Sequence, residues 1–190
     1  MVDPNAELPA FHVAWHIPPM GEPDHYAIEM LTLVLGGGDS SRLYQKLVKE
    51  REILQRVYFG TDDRRGPDLA SIWAIVASGK SAEEAREVIY AEIDDVARDG
   101  VTERELEKAR NQLRSIFVFG LQSNLSRAQR LAEYELYYGD AEKLKGELDR
   151  YLAVSQADIR RVARTYFDPS SRTVLDVVPA DDAGAAQEAR

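Results

Sequence analysis

The sequence predicts an α+β domain, a two-layer sandwich with helices packed on one face of a mixed or antiparallel sheet. Three observations carry this. Along the 190 residues the elements read β-α-α-β-β-α-α-α-α-α-β. Leu69 to Ser78 is apolar on both faces, at Ile72, Trp73, Ile75 and Val76, which places it centrally in a sheet. The hairpin that contains it is followed directly by a helical run and a returning strand, so the helices cannot be shared evenly between two faces.

Residues 1–7 read as a flexible lead, and residues 8–180 as a single domain. From Leu8 to Ile17 the pattern alternates, with Phe11, Val13, Trp15 and Ile17 on one face and His12, Ala14 and His16 on the other. That is a strand, and Pro18-Pro19 ends it. Pro23 or Asp24 opens a helix that buries Ala27, Met30, Leu31, Val34 and Leu35, and Gly36-Gly37-Gly38 closes it. Ser40 or Ser41 is placed to cap a new helix with Leu43, Tyr44 and Leu47 on its buried side. Leu54 to Thr61 is the second strand, and Asp62 to Pro67 the turn that leads into the third.

The helical half opens with Ser81-Ala-Glu-Glu84, a capping box whose helix Gly100 stops. Thr102-Glu-Arg-Glu105 is a second box, opening a long helix striped with Leu106, Ala109, Leu113, Ile116, Phe117 and Leu121, which Gly120 is placed to kink. A helix from Ser126 to Tyr138 stops at Gly139. A shorter one covers Ala141 to Leu152, Ser155 caps a last one through Tyr166, and Thr173 to Val178 forms the final strand. Residues 181–190 are small and polar and read as a mobile tail.

Composition excludes several classes. The net charge of −9 argues against nucleic acid, which needs clustered Lys and Arg. There is no cysteine, hence no disulfide or thiolate metal site. No apolar run reaches the length of a membrane span. Hydrophobic residues at 44% and charged residues at 30% are an ordinary globular balance. The abrupt start at the first strand gives the chain the look of a domain trimmed from a longer protein.

The stretch LGGGDSSRLYQKLVKEREILQRVY, Leu35 to Tyr58, carries a resemblance. It is similar to the pattern LGGG-x-SSRL[FY]-x-x-L-R-E-x-R-G-L-A-Y of the pitrilysin/insulinase family of zinc peptidases, which includes mitochondrial processing peptidase and the bc1 core proteins. Gly36, Gly37, Gly38, Ser41, Arg42, Leu43, Tyr44 and Leu47 fit it as a structural motif. The resemblance covers about Leu8 to Pro179.

The family's catalysis uses an H-x-x-E-H motif with two histidine ligands and a glutamate base. This chain has only His12, His16 and His25 and no such motif, so the resemblance implies a C-terminal-type domain that binds no zinc itself. It implies a partner domain bearing the zinc, in the same polypeptide or a sister subunit, a peptide substrate, and a substrate-enclosing role. The alternative is a catalytically inactive structural or assembly subunit. A homo-oligomer of the isolated domain is allowed, and a bacterial protein of this kind would be periplasmic or cytoplasmic.

Domains of this type often supply an arginine and a tyrosine, seven residues apart, that hold the substrate backbone or the developing oxyanion. Ungapped alignment puts Val48 at the arginine and Gln55 at the tyrosine. Gln55 keeps an amide donor, whereas Val48 has none. Arg51 and Tyr58 have the same spacing and offer a substitute pair if the helix slips by three residues.

Other candidates read as structural. His12 and His16, four apart in a strand, stand about 13 Å from each other, too far to share one ion. His25, in the first turn of a helix, is expected at the surface. Arg42 is placed to pair with a carboxylate such as Asp39 or to bind a carbonyl. Tyr134, Tyr137 and Tyr138 belong to core and rim. The glycine run lacks the Lys-Ser/Thr of a phosphate loop.

Overall fold

A computed structural model describes residues 1–180, so the tail expected at 181–190 lies outside the described residues. Its single sheet has the order β1-β5-β2-β4-β3, with β1 Val2–Asp3, β2 Ala10–Ile17, β3 Leu54–Thr61, β4 Asp68–Val76 and β5 Arg172–Pro179. β1 runs parallel to β5 and the other pairings are antiparallel, so the sheet is mixed. β4 is an interior strand, flanked by β2 and β3. Part of the 1–7 lead is tied down: Val2 and Asp3 pair with Val178 and Pro179, and the N-terminal ammonium donates to the Asp176 carbonyl at 2.8 Å.

The inward faces of β2 and β4 (Phe11, Val13, Trp15; Ala70, Ile72, Ala74, Val76) are buried in one core. Over them lie α1 Pro23–Gly36, α2 Ala82–Asp99, α3 Glu103–Gly120 and α6 Gln156–Tyr166, each contributing to the same cluster. The alternation read from the sequence is therefore the core pattern. Gly36 explains why the first helix ends in glycine. A Cβ there would meet the Phe59 Cβ at 2.4 Å and its backbone N at 2.8 Å, so only glycine lets α1 press onto β3.

Local departures have physical reasons. The segment after the glycines is not an α-helix opened by Ser41; it is π-helical over Tyr44–Glu50, with the Arg51 N–H donating to the Lys46 carbonyl. The Ser41 hydroxyl is buried without a partner, so it caps nothing. The wider turn keeps Leu43 and Leu47 on the core, and Glu52, in the left-handed region at φ 52, lets the chain turn into β3. α4 spans Asn124–Tyr138, starting two residues before Ser126 because Ser123 accepts from the Ser126 N–H. Ala141–Leu152 divides into a 3₁₀ stretch to Gly146 and a short α5, Glu147–Leu152. Gly120 closes α3 instead of kinking it.

Among the described residues, the other face of the sheet carries no helix. Cross-strand register lines up Tyr58 of β3, Trp73 of β4, His12 of β2 and Leu175 of β5 in one row. Tyr58, Trp73 and Leu175 are exposed by 57%, 41% and 46%, which is unusual for side chains of this size.

Candidate functional site

The residues singled out by the family pattern run from the π turn into β3. Val48 and Arg51 precede the strand, and Gln55 and Tyr58 lie on it, an edge strand bonded only to β4 among the described residues. Its register shifts between Leu54 and Arg56, which leaves Gln55 as the bulged residue, exposed at the sheet edge. A bulge at an edge turns a side chain away from the ladder, so the Gln55 amide faces solvent with free N–H donors. Val48 is half-buried against the core, a packing residue. Arg51 ends the π turn and is exposed. Tyr58 lies farther along the strand with its ring over Gly60, where an added Cβ would meet the Tyr58 hydroxyl at 2.3 Å.

Arg51 and Tyr58 share no hydrogen bond or ion pair among the described residues. Burial raises the Tyr58 phenol, and the charges that add to the rise are the carboxylates Asp63, Glu29 and Asp62, with no arginine among them. Arg42 pairs neither with Asp39 nor with a carbonyl. Its guanidinium grips Glu105 at the start of α3 in a two-pronged bond, with Nη2 donating to Oε2 at 2.8 Å, and lies 3.7 Å from Glu92 of α2. That fork ties the glycine block to two helices.

A second group of side chains, unanticipated from the sequence, surrounds His25. The expected surface histidine is fully buried. Its Nδ1 faces the Pro18 carbonyl at 3.1 Å and lies 3.8 Å from Asp68 Oδ2. Its Nε2 faces Asp63 Oδ1 at 3.3 Å and Glu29 Oε2 at 4.0 Å. Burial alone would lower the imidazole, but the Asp63 bond, the Pro18 carbonyl and the charges of Glu29 and Asp63 outweigh it and raise the ring above 6.5. Burial and the Asp63 charge push Glu29 up to about 7, although bonding from Tyr151 and the charge of His25 pull the other way. Asp63 itself is held below the ordinary range: burial would raise it, and the bonds from His25 and Thr61 prevail.

The group borders a cleft of about 550 Å³ between the body and the α3–α4 hairpin, whose walls include Met20, Glu29, Asp63, Phe117, Arg130 and Tyr151. The signals for it were a His25–Glu29 pair at helical spacing in α1 and an aspartate opening β4 at an inward position. Neither is distinctive without the fold.

His25, Asp63 and Asp68 lie close enough together to be tested as a metal set. One ring nitrogen and one oxygen of each aspartate lie within 4.8 Å of one another. As the side chains stand, Asp63 faces Nε2 while Asp68 faces Nδ1, which the Pro18 carbonyl already engages, so the two carboxylates do not converge on one lone pair of the ring. His12 and His16 both point to the helix-free face in the same strand, at the separation that rules out a shared ion.

Known proteins bear on this geometry directly. The family profile described as "Peptidase M16 inactive domain" matches residues 1–113. An uncharacterized zinc protease of Mycobacterium tuberculosis is 32% identical over 164 residues, covering 86% of this chain and 37% of the relative. This chain thus spans little more than a third of the length of the curated relatives it matches. In fold it is similar to a protease from Helicobacter pylori, with a TM-score of 0.86 at 22% identity over 94% of this chain and 43% of that one. It is also similar to a chain of complex III from Candida albicans, with a TM-score of 0.81 at 14% identity over 93% of this chain and 44% of that one. With a mixed sheet, helices on one face and no zinc motif, the chain belongs to the pitrilysin-type peptidase M16 family, as a domain of its inactive type.

Proposed function

We propose that this chain is the metal-free, substrate-enclosing domain of a zinc-dependent metalloendopeptidase. It works with a domain that bears H-x-x-E-H, in the same polypeptide or in a sister subunit. The observation that carries the reading is the uncovered row Tyr58–Trp73–His12–Leu175 on the helix-free face of the sheet. A sheet face with an aromatic and aliphatic row in water is an interface waiting for its other half, and the zinc protease relatives supply the length for one.

In that assembly the zinc of the partner domain supplies the activated water. This chain contributes a wall of the chamber and the free edge of β3, along which an extended peptide could add as a strand. Gln55, bulged at that edge, offers an amide N–H to a substrate carbonyl. Binding through backbone bonds would give limited side-chain selectivity, with chamber size restricting what enters.

One observation favours a second reading, that of a structural subunit. Val48 stands where the family pattern has its arginine, and among the described residues no arginine meets Tyr58. The fold likeness to a complex III chain is compatible with it.

The test is cleavage of quenched fluorogenic peptides of several lengths by this chain alone and mixed with the zinc-motif partner. Activity only in the mixture, abolished by a chelator, supports the peptidase reading. A stable mixture without activity on any peptide would replace it with the structural one. Zinc-dependent cleavage by this chain alone would overturn both.

A further inference from the structure

We propose that His25 is a proton-operated latch, which as an imidazolium ties the turn between β3 and β4 to the first turn of α1 and on losing a proton releases one lip of the cleft. The inference goes beyond the peptidase reading and does not depend on it.

Donor counting comes first. A neutral imidazole has a single N–H, yet both ring nitrogens of His25 face oxygens that only accept: the Pro18 carbonyl at 3.1 Å and Asp63 Oδ1 at 3.3 Å. In either neutral tautomer one lone pair would oppose another around a ring that is itself wholly buried. The doubly protonated ring satisfies both. It also accounts for Asp68 Oδ2, which is buried with no hydrogen-bond partner and stands 3.8 Å from Nδ1. A buried carboxylate oxygen is tolerable beside a positive charge and costly without one.

The surrounding charges make the ring the keystone. From α1 come Glu29 and the Tyr26 ring, edge-on at 6.3 Å. The turn supplies Asp63, Asp62 and Arg64, and β4 supplies Asp68. Arg130 of α4 acts on Asp63 from across the cleft, Tyr151 and Glu147 of α5 act on Glu29, and Tyr58 of β3 senses the same carboxylates. Arg64, 4.0 Å from Asp68 Oδ1, is more than half exposed and already pairs with Asp62. With His25 neutral, Glu29, Asp63 and Asp68 face one another with only peripheral arginines to offset them.

The turn is poised to respond. Asp63 is held in the left-handed region at φ 56, where a non-glycine residue needs outside support. Its ties are the ring, the Thr61 hydroxyl at 2.8 Å and, one residue on, the Arg64 carbonyl accepting from the Met20 N–H at 3.3 Å. Met20 and Asp63 both line the cleft. Because the folded ring is raised above 6.5, the latch is closed below that pH and is lost as pH rises through the folded value.

The experiment follows the ring signals of His25 by NMR from pH 5 to 9, and amide exchange of residues 62–66 over the same range. The expected result is a His25 midpoint above 6.5 and, across it, a gain in turn exchange of about tenfold beyond the ordinary base-catalysed rise. Asp63→Asn should lower the midpoint by about one pH unit. His25→Gln should leave the turn fast-exchanging at every pH; if that variant fails to fold, the wild-type titration and Asp63→Asn decide. A midpoint below 6.5, turn exchange without an inflection, or displacement of the ring proton by micromolar Zn²⁺ would overturn the latch.

Discussion

α2 and α4 begin alike and end up in different surroundings. Each is opened by a serine whose hydroxyl accepts a backbone N–H, Ser81 and Ser123, and each is closed by a glycine at positive φ. α2 buries Ala85, Val88, Ile89, Ile93 and Val96 in the common core, and Glu92 against Arg42 and Lys46. α4 buries only Tyr134, while Leu125, Leu131 and Leu136 remain 69%, 43% and 71% exposed. The nearby end of α3 is similar, with Ile116, Val118 and Phe119 more than half exposed. Capping and periodicity thus dictate helices in both places, but among the described residues only α2 finds the surface that its apolar stripe requires. The sequence of α2 is explained by the packing of the described residues, and that of the α3–α4 hairpin is not.

Substitutions at two glycines would test that contrast most severely. Gly36→Ala forces a methyl into Phe59, whose Cβ and backbone N would lie at 2.4 and 2.8 Å, where both partners are backbone-anchored and cannot yield. A loss of about 3 kcal/mol is expected in denaturant unfolding. Gly120, at the hairpin end of α3, has nothing within 4 Å of its added Cβ. Gly120→Ala should be neutral or stabilising by up to about 1 kcal/mol. Equal effects at the two sites would remove the distinction.

The fork between Arg42 and Glu105 is the next probe, since it joins the glycine block to the start of α3. The Arg42 bond is the largest influence on Glu105, and with the Thr102 bonds it overcomes burial to bring the carboxyl down to about 2. A carboxyl depressed on folding stabilises above its ordinary value of 4.5, and that contribution is lost as pH falls through the folded value near 2. Glu105→Gln should therefore cost about 2 kcal/mol at pH 7. The cost should shrink steadily in urea melts carried from pH 5 to pH 2.5, and one that stays constant over that range would show that packing, not charge, carries the contribution.

What was legible in the sequence follows the same division. The alternation of Phe11, Val13, Trp15 and Ile17, the Thr102–Glu105 capping box and the interior position of the Ile72 strand were readable because each depends on local spacing. The box expected at Ser81 is only a one-way cap, Ser81 accepting from the Glu84 N–H. The π turn was not readable, because an extra backbone residue in a turn leaves no mark on hydrophobic order. It kept Leu43 and Leu47 buried and left the Ser41 hydroxyl without its expected role. The His25 group was invisible for a different reason. Pro18, Glu29, Asp63 and Asp68 come from four separate segments, and a histidine in the first turn of a helix looks solvated until the hairpin turn is folded over it. The run Leu54 to Thr61 was legible as a strand, and the geometry then separated Arg51 from Tyr58, which equal spacing alone had made look like a pair.

The smallest expected effect is the most direct test of the hairpin's meaning. Leu125→Ser and Leu136→Ser remove side chains that are 69% and 71% exposed, so little area returns to water on unfolding. Each should change the stability of this chain by no more than about 0.5 kcal/mol, with an unchanged circular dichroism spectrum. A comparable truncation on α2, Ile89→Ser, removes a side chain with no exposure and should cost about 4 kcal/mol. If the hairpin leucines are instead expensive, α4 is packed in solution more closely than its exposed face indicates, and its apolar stripe is satisfied at home. If they are cheap, their presence on an exposed face is not explained by the stability of this chain, and binding to the proposed zinc-motif partner, measured with the same two variants, becomes the place to look for the cost.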